Sequence, residues 1–195
     1  MTISSLRSNE LVRKAIHLSS SAIPLLYWFG FERNIMLKGV IFLATGFLTA
    51  EYLRFHSQVG KQLFMKVFGS ALRQHEHQKL TGATYVFTGS VLAIFLFPKE
   101  IAVPALLILS ISDTFAALVG IPYGKHPFLA KSREGSITFF LTTLLILELF
   151  RPEDFLVNMV IALILTITEA LPLKLDDNFV IPIAAGLLLS LTSLF

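Results

Sequence analysis

"IAVPALLILSISDTFAALVG", residues 101–120, decides how this chain is read. The run is about as long as the roughly 20 apolar residues that a helix needs to cross a bilayer. It carries one charge, Asp113. Directly after it comes "IPYGKHPFLAKSREGS", a glycine-punctuated basic loop ending at Ser136. A carboxylate inside an apolar run is costly in lipid and marks a functional candidate.

The surroundings have the same character. Of 195 residues, 54% are hydrophobic and 15% charged, with 18 phenylalanines and a mean hydropathy of +0.73. Soluble domains carry roughly a quarter charged residues. The composition therefore predicts one all-α integral membrane domain over 1–195. Cysteine is absent, which removes disulfides and cysteine-ligated metals. A net charge of +3 is too small to suggest nucleic acid. The first residues, MTISSLRSNELVRKAIH, lack an apolar core with a cleavage site and do not read as a removed signal.

Seven apolar stretches are expected to span, at about 12–30, 35–53, 81–98, 101–120, 136–150, 154–173 and 179–194. With the N-terminus inside, 12 of the 16 Lys and Arg fall on inner segments, Arg7 and Arg73 among them. The positive-inside rule then predicts N-inside, C-outside. Between the second and third spans, Val59, Leu63, Phe64, Val67, Phe68, Ala71 and Leu72 recur at helical spacing among Lys61, Lys66 and Arg73. This predicts a basic amphipathic helix on the inner membrane surface.

In this topology the polar groups gather at one face. Arg13, Lys14 and His17 open the first span and share a helical face. Glu51 and Arg54 close the second, and Thr81 opens the third. Asp113, Glu169, Asp176, Asp177, Asn178 and the loop 121–135 all lie on the inner side. The outer half is nearly bare except for Glu148. A transport path would distribute polar groups through the whole depth. Acids and bases at one face suit chemistry between a cytosolic reactant and a lipid headgroup, and several cations beside carboxylates suit a nucleoside triphosphate with Mg²⁺.

The blander readings are these. Arg13 and Lys14 can be topology determinants. Asp113 can be a packed aspartate on the small-residue face Ser110, Ala116, Ala117 and Gly120. Ser136 can be a helix N-cap, and one of Asp176, Asp177 and Asn178 can cap the last helix. Gly82 and Gly89 read as packing glycines, and His75-Glu76-His77 as solvated surface.

Four ordered motifs carry a resemblance: "RKAIH" (13–17), "TGATY" (81–85), "SDTFAALVG" with "KSREGS" (112–136), and "EALPLKLDDNFVIP" (169–182). Together they resemble the lipid-alcohol kinase family of dolichol kinase, phytol kinase and the yeast CTP-dependent diacylglycerol kinase. Ser112 stands where that family usually has Gly, and Tyr123 where Phe is common; neither change removes a charge. The resemblance implies CTP as phosphoryl donor and, as acceptor, a polyprenol, dolichol, phytol or another isoprenoid alcohol, or diacylglycerol. On this reading Arg13, Lys14, His17, Gly120, Lys125, Lys131, Ser132, Gly135 and Ser136 bind nucleotide and phosphate. Asp113 with Asp177 or Glu169 holds Mg²⁺. A carboxylate among Glu134, Asp176 and Asp177 takes the alcohol proton. A cytidylyltransferase making a CDP-lipid needs the same groups, and a small transporter is the alternative from another class. Nothing in the sequence specifies an oligomeric state.

Overall fold

The computed structural model describes residues 13–72, 74–152 and 154–192. Arg7 and Arg73, both counted on the inner side, lie outside them, as does the side chain of His75. The described chain is a helical bundle. Its elements are α1 (13–19), α2 (Ala22–Phe29), α3 (Arg33–His56), α4 (Gln58–Phe68), α5 (Gly82–Leu96), α6 (Lys99–Leu107), α7 (Asp113–Tyr123), α8 (Arg133–Phe150), α9 (Phe155–Ala170) and α10 (Asp177–Thr192). A hairpin of two short strands, β1 (Pro127–Phe128) and β2 (Lys131–Ser132), interrupts the expected all-α content. Leu129, at its tip, has φ 51°.

Contacts between helix ends sort them into two faces. On one, Lys14 meets Asp113, Glu51 meets Thr81, and Lys131 meets Glu169 and Asp177. On the other, Arg33 donates to the carbonyls of Ile94 and Phe95, Trp28 packs edge-on to Phe150, and Arg151 donates to Thr192. Successive long helices therefore run in alternating directions between the faces.

The continuous helix α6–α7 is the core. Ala102, Val103, Ala105, Leu106, Ile108 and Leu109 are all almost fully buried on it. Residues of α2, α5, α8, α9 and α10 share the same core cluster. A π turn, Ile108–Ser112, joins its two halves immediately before Asp113. Such turns reset the helical face and recur at functional sites. α3 is peripheral and leaves Ile35, Ile41, Phe42 and Leu48 exposed. An apolar face of this kind suits lipid rather than water.

Helix lengths refine the expected spans. Arg33–His56 and Lys99–Tyr123 are long and apolar enough to cross a membrane. The apolar helices α5, α9 and α10, with 15, 16 and 16 residues, are shorter. At 1.5 Å per residue they reach only about 22–24 Å. The first expected span is two helices. Pro24 removes an N–H and crowds the carbonyl of Ser20, so the helix breaks at Ser20–Ser21. The amphipathic segment is helical over Gln58–Phe68 and then tightens into two 3₁₀ turns. α4 folds back closely on α3: a Cβ on Gly60 would come within 2.5 Å of the Leu53 carbonyl oxygen.

Candidate active site at one end of the bundle

Asp113 opens α7 below the π turn and is 8% exposed. Its Oδ2 lies 2.5 Å from Lys14 Nζ and 3.2 Å from His17 Nε2. The spacing of three residues puts Lys14 and His17 on one face of α1, and both turn to the same carboxylate. His17 Nε2 also lies 3.0 Å from the carbonyl oxygen of Leu109, inside the π turn.

A second cation bridges two more acids. Lys131 Nζ is 2.9 Å from Glu169 Oε1 and 2.8 Å from Asp177 Oδ2. β2 and the ends of α9 and α10 thus meet at one ammonium. Burial alone would lower the Lys131 pKa, but the charges of Glu169 and Asp177 outweigh it and hold the ammonium above its usual range. The hairpin is tied to α9 by the Ala130 N–H, which donates to the Ala170 carbonyl at 2.9 Å.

Asp113, Glu169 and Asp177 each offer a carboxylate oxygen within 4.8 Å of the other two. Opposite oxygens around Mg²⁺ are about 4.2 Å apart, at roughly 2.1 Å from the ion. Adjacent oxygens lie nearer, about 3.0 Å apart, so the three acids would draw together by up to about 1.8 Å to hold a hard cation. Glu169 Oε2 is buried with no hydrogen-bond partner among the described residues, as an oxygen awaiting a ligand would be.

A cavity of about 310 Å³ opens beside these groups, lined by Arg13, Lys14, Asp113, Lys131, Ser132 and Glu169. Gly120 and Gly135 lie on its wall. A Cβ on Gly135 would come within 3.1 Å of the Ala116 carbonyl oxygen and 3.3 Å of the Gly120 Cα, so these glycines set a close approach of α7 to α8. That approach holds the N-terminus of α8, an end that favours anions, at the cavity.

Several expected positions differ. The cap of α8 is Ser132, whose Oγ accepts the Gly135 N–H at 3.2 Å. Ser136 lies inside the first turn, buried, with its Oγ unpartnered among the described residues. Glu134 turns away from the cluster and pairs with His126 Nδ1 at 2.7 Å. Bonds from its own amide N–H and from the His126 side chain push its pKa down to about 2. Lys125 is exposed and does not line the cavity. Asp176 caps α10: its Oδ1 accepts the Asn178 N–H at 3.0 Å, and its carbonyl accepts from Phe179 and Val180. Asp177, one residue on, is the acid that reaches the cluster.

Glu51, Arg54 and Thr81 form a separate latch. Glu51 Oε1 accepts the Thr81 N–H at 2.8 Å, and Glu76 Oε1 accepts the Gly82 N–H at 2.9 Å. Two acids thus satisfy the N-terminus of α5. Arg54 pairs with Glu51, donates to the carbonyls of Glu76 and Lys79, and is stacked against Phe55 and Phe64. Glu76, expected on a solvated surface, is instead 3% exposed. Asn178 points to the carbonyl of Gly82 at 3.5 Å. Gly82 and Gly89 pack against α10, where Cβ atoms would meet Asn178. Glu148, the outer exception, accepts from Asn158 at 2.8 Å.

Relatives add an independent comparison. The chain is 30% identical to CTP-dependent diacylglycerol kinase 1 of Schizosaccharomyces pombe, over 95% of this chain and 94% of that protein. The chain belongs to the CTP-dependent diacylglycerol kinase family. A second member of this lipid-alcohol kinase family, from Saccharomyces cerevisiae, is 29% identical over 68% of the chain and 47% of its own length. An uncharacterised protein of Rickettsia prowazekii is 33% identical over 70% of the chain and 68% of that protein. No protein-family model matches the chain. No solved structure matches it either.

Proposed function

We propose that this chain is a multi-pass membrane kinase, a single catalytic domain, that transfers the γ-phosphoryl group of CTP to the hydroxyl of a membrane lipid alcohol. Diacylglycerol is the acceptor that the named relatives favour. The observation that carries the reading is the cluster of Asp113, Glu169 and Asp177 interleaved with Lys14 and Lys131 at one end of an apolar bundle. Neutralised by their own cations, these acids are balanced for an incoming polyanion and its metal.

Asp113, Glu169 and Asp177 would hold Mg²⁺, which when bound supplies positive charge to the transferring phosphoryl group. Lys131 then exchanges its carboxylate partners for phosphate oxygens. Arg13 and Lys14, which line the same cavity, hold phosphate as well, and the first amides of α8 add a positive helix end. In the transfer the bond between the γ-phosphorus and the β,γ-bridging oxygen breaks, and a bond from that phosphorus to the lipid oxygen forms. The hydroxyl proton passes to an oxygen of the transferred phosphoryl group, while His17 and Lys14 hold the Asp113 carboxylate in place. The products are CDP and a lipid phosphate. Catalysis here is positioning and charge neutralisation.

The membrane arrangement belongs to the same proposal. Seven crossings with the N-terminus inside and the C-terminus outside put the cluster on the cytoplasmic side, where CTP is. α4 lies in the inner interface. The short helices are accommodated because their inner ends border the two cavities and the charged cluster. The test is purified protein in mixed micelles with CTP, ATP, UTP or GTP, each against diacylglycerol, phytol and a polyprenol. The proposal expects lipid phosphate from CTP with diacylglycerol above every other pair. Lipid phosphate with no nucleotide preference would remove CTP, and no product from any pair would remove the kinase.

A further inference from the structure

A second cavity, of about 130 Å³, adjoins the first and is mainly apolar. Its walls are Phe47 of α3, Phe64 and Phe68 of α4, Leu72, and Val86 and Phe87 of α5. The rings contact one another: Phe47 is 4.8 Å from Phe87 and 5.7 Å from Phe68, and Phe64 is 5.0 Å from Phe68. Arg13, Lys14 and Asp113 line this cavity as well as the polar one. The Lys14–Asp113 pair is therefore a partition with a charged, glycine-walled chamber on one side and an aromatic cleft on the other.

We propose that the aromatic cleft is the acceptor site, into which the hydroxyl end of a lipid alcohol enters between α3, α4 and α5. The proposal rests on the kinase reading above and adds where the acceptor binds. Three observations support it. The cleft ends at Asp113, so a hydroxyl lying in it faces the phosphate chamber across one carboxylate. Its volume falls below the roughly 300 Å³ that encloses a whole small ligand, so it takes only the first part of a lipid and leaves the chains in the bilayer. α4 is apolar on two sides. Phe64 and Phe68 face the cleft, whereas Val59, Leu63 and Val67 are exposed at 74%, 62% and 58%. A helix lying in the membrane interface on one face and roofing a cleft with the other gives a lipid a lateral route to the site without passing through water. The Glu51–Arg54–Glu76 latch fixes this roof, because Arg54 stacks on Phe64 and Glu76 lies on the cleft wall.

Ala83 of α5 also lines the cleft and makes none of the charged contacts. Ala83→Phe places a ring where the lipid would lie. The first measurement is steady-state kinetics with diacylglycerol in mixed micelles, with detergent-solubilised thermal stability and the CTP-induced stability shift as fold checks. The apparent KM for lipid should rise at least about tenfold while that for CTP stays within about twofold. The second measurement needs no turnover: a diacylglycerol with a diazirine near its ester carbonyl is photo-crosslinked to the wild type, and the labelled peptides are mapped. Label should fall on 58–72 and 83–87 and be lost in A83F. An unchanged lipid KM in folded A83F, or label confined to the outward residues of α3 and unaffected by A83F, overturns the acceptor site. If the wild type phosphorylates no lipid, the kinase reading fails, and the crosslink map alone then decides whether lipid occupies the cleft. Should A83F not fold, Phe68→Ala, which removes a ring from the cleft wall, must change the apparent KM for diacylglycerol while that for CTP stays within about twofold, and an unchanged lipid KM counts against the site.

Discussion

Asp113→Asn separates what the carboxylate does for the fold from what it does for chemistry. The side chains of Asp113 and Lys14 are 12% and 6% exposed and 2.5 Å apart. Removing one charge of such a pair leaves the other buried and uncompensated, which costs about 3–5 kcal/mol in comparable cases. His17 loses a charged partner at 3.2 Å in the same step. For a chain of this length, about 3 kcal/mol corresponds to a drop of roughly 6–12 °C in Tm. Turnover should fall at least about 100-fold, a loss of about 3 kcal/mol of transition-state stabilisation. The two effects are separated by adding Lys14→Met. In D113N/K14M the unpaired ammonium is gone, so most of the lost Tm should return while turnover stays low. The assay is lipid phosphate per folded enzyme over a Mg²⁺ titration, beside Tm in detergent. Recovery of near-normal turnover in the double variant would show that the carboxylate only neutralises Lys14, and the mechanism above would be wrong.

Lys131→Ala should raise the KM for CTP about tenfold or more by removing a phosphate contact. Without nucleotide, the same variant should gain more Tm from Mg²⁺ than the wild type, because Lys131 no longer competes for Glu169 and Asp177; a smaller gain would place the cation elsewhere. Glu134 is held at about 2, below the ordinary carboxylate range, so its bond to His126 stabilises the loop above about pH 4.3 and is lost as pH falls through about 2. Hydrogen exchange over 125–132, corrected for intrinsic rates, should stay slow down to pH 3 in the wild type and be fast at pH 7 in Glu134→Gln. Accessibility tags at the two termini should report opposite sides of the membrane, N-terminus inside; both on one side would remove the crossing count.

Much of this was legible in residue order, and the rest fails for identifiable reasons. The run 101–120 announces an apolar helix of spanning length, and the fold adds that it is the core of the bundle. Lys14 and His17, three apart, had to share a face, but only the fold shows that the face meets Asp113. Glu51 and Arg54, also three apart, announce a pair without naming its target, the start of α5 about 30 residues later. Their depth alone made them look like site residues. Ser132 and Ser136 are both acceptable caps. The short hairpin favours Ser132, because its backbone leaves β2 extended just where α8 begins. That hairpin was not legible: two-residue strands have no period to detect, and Leu129 at positive φ carries none of the Gly or Asn signal that such a turn usually shows. Phe64 and Phe68, four apart on a surface helix, read as membrane anchors. They face inward because Gly60 lets α4 fold back along α3.

The account is tested most directly by the position of label in the lipid product. Purified protein with diacylglycerol and Mg²⁺ is given CTP labelled at the γ-phosphorus or, in a parallel reaction, at the α-phosphorus. Transfer to the lipid hydroxyl predicts label in phosphatidic acid from γ-labelled CTP alone, with CDP released in equal amount. Label entering lipid from α-labelled CTP, with release of pyrophosphate, would make the chain a cytidylyltransferase and contradict the proposed phosphoryl transfer.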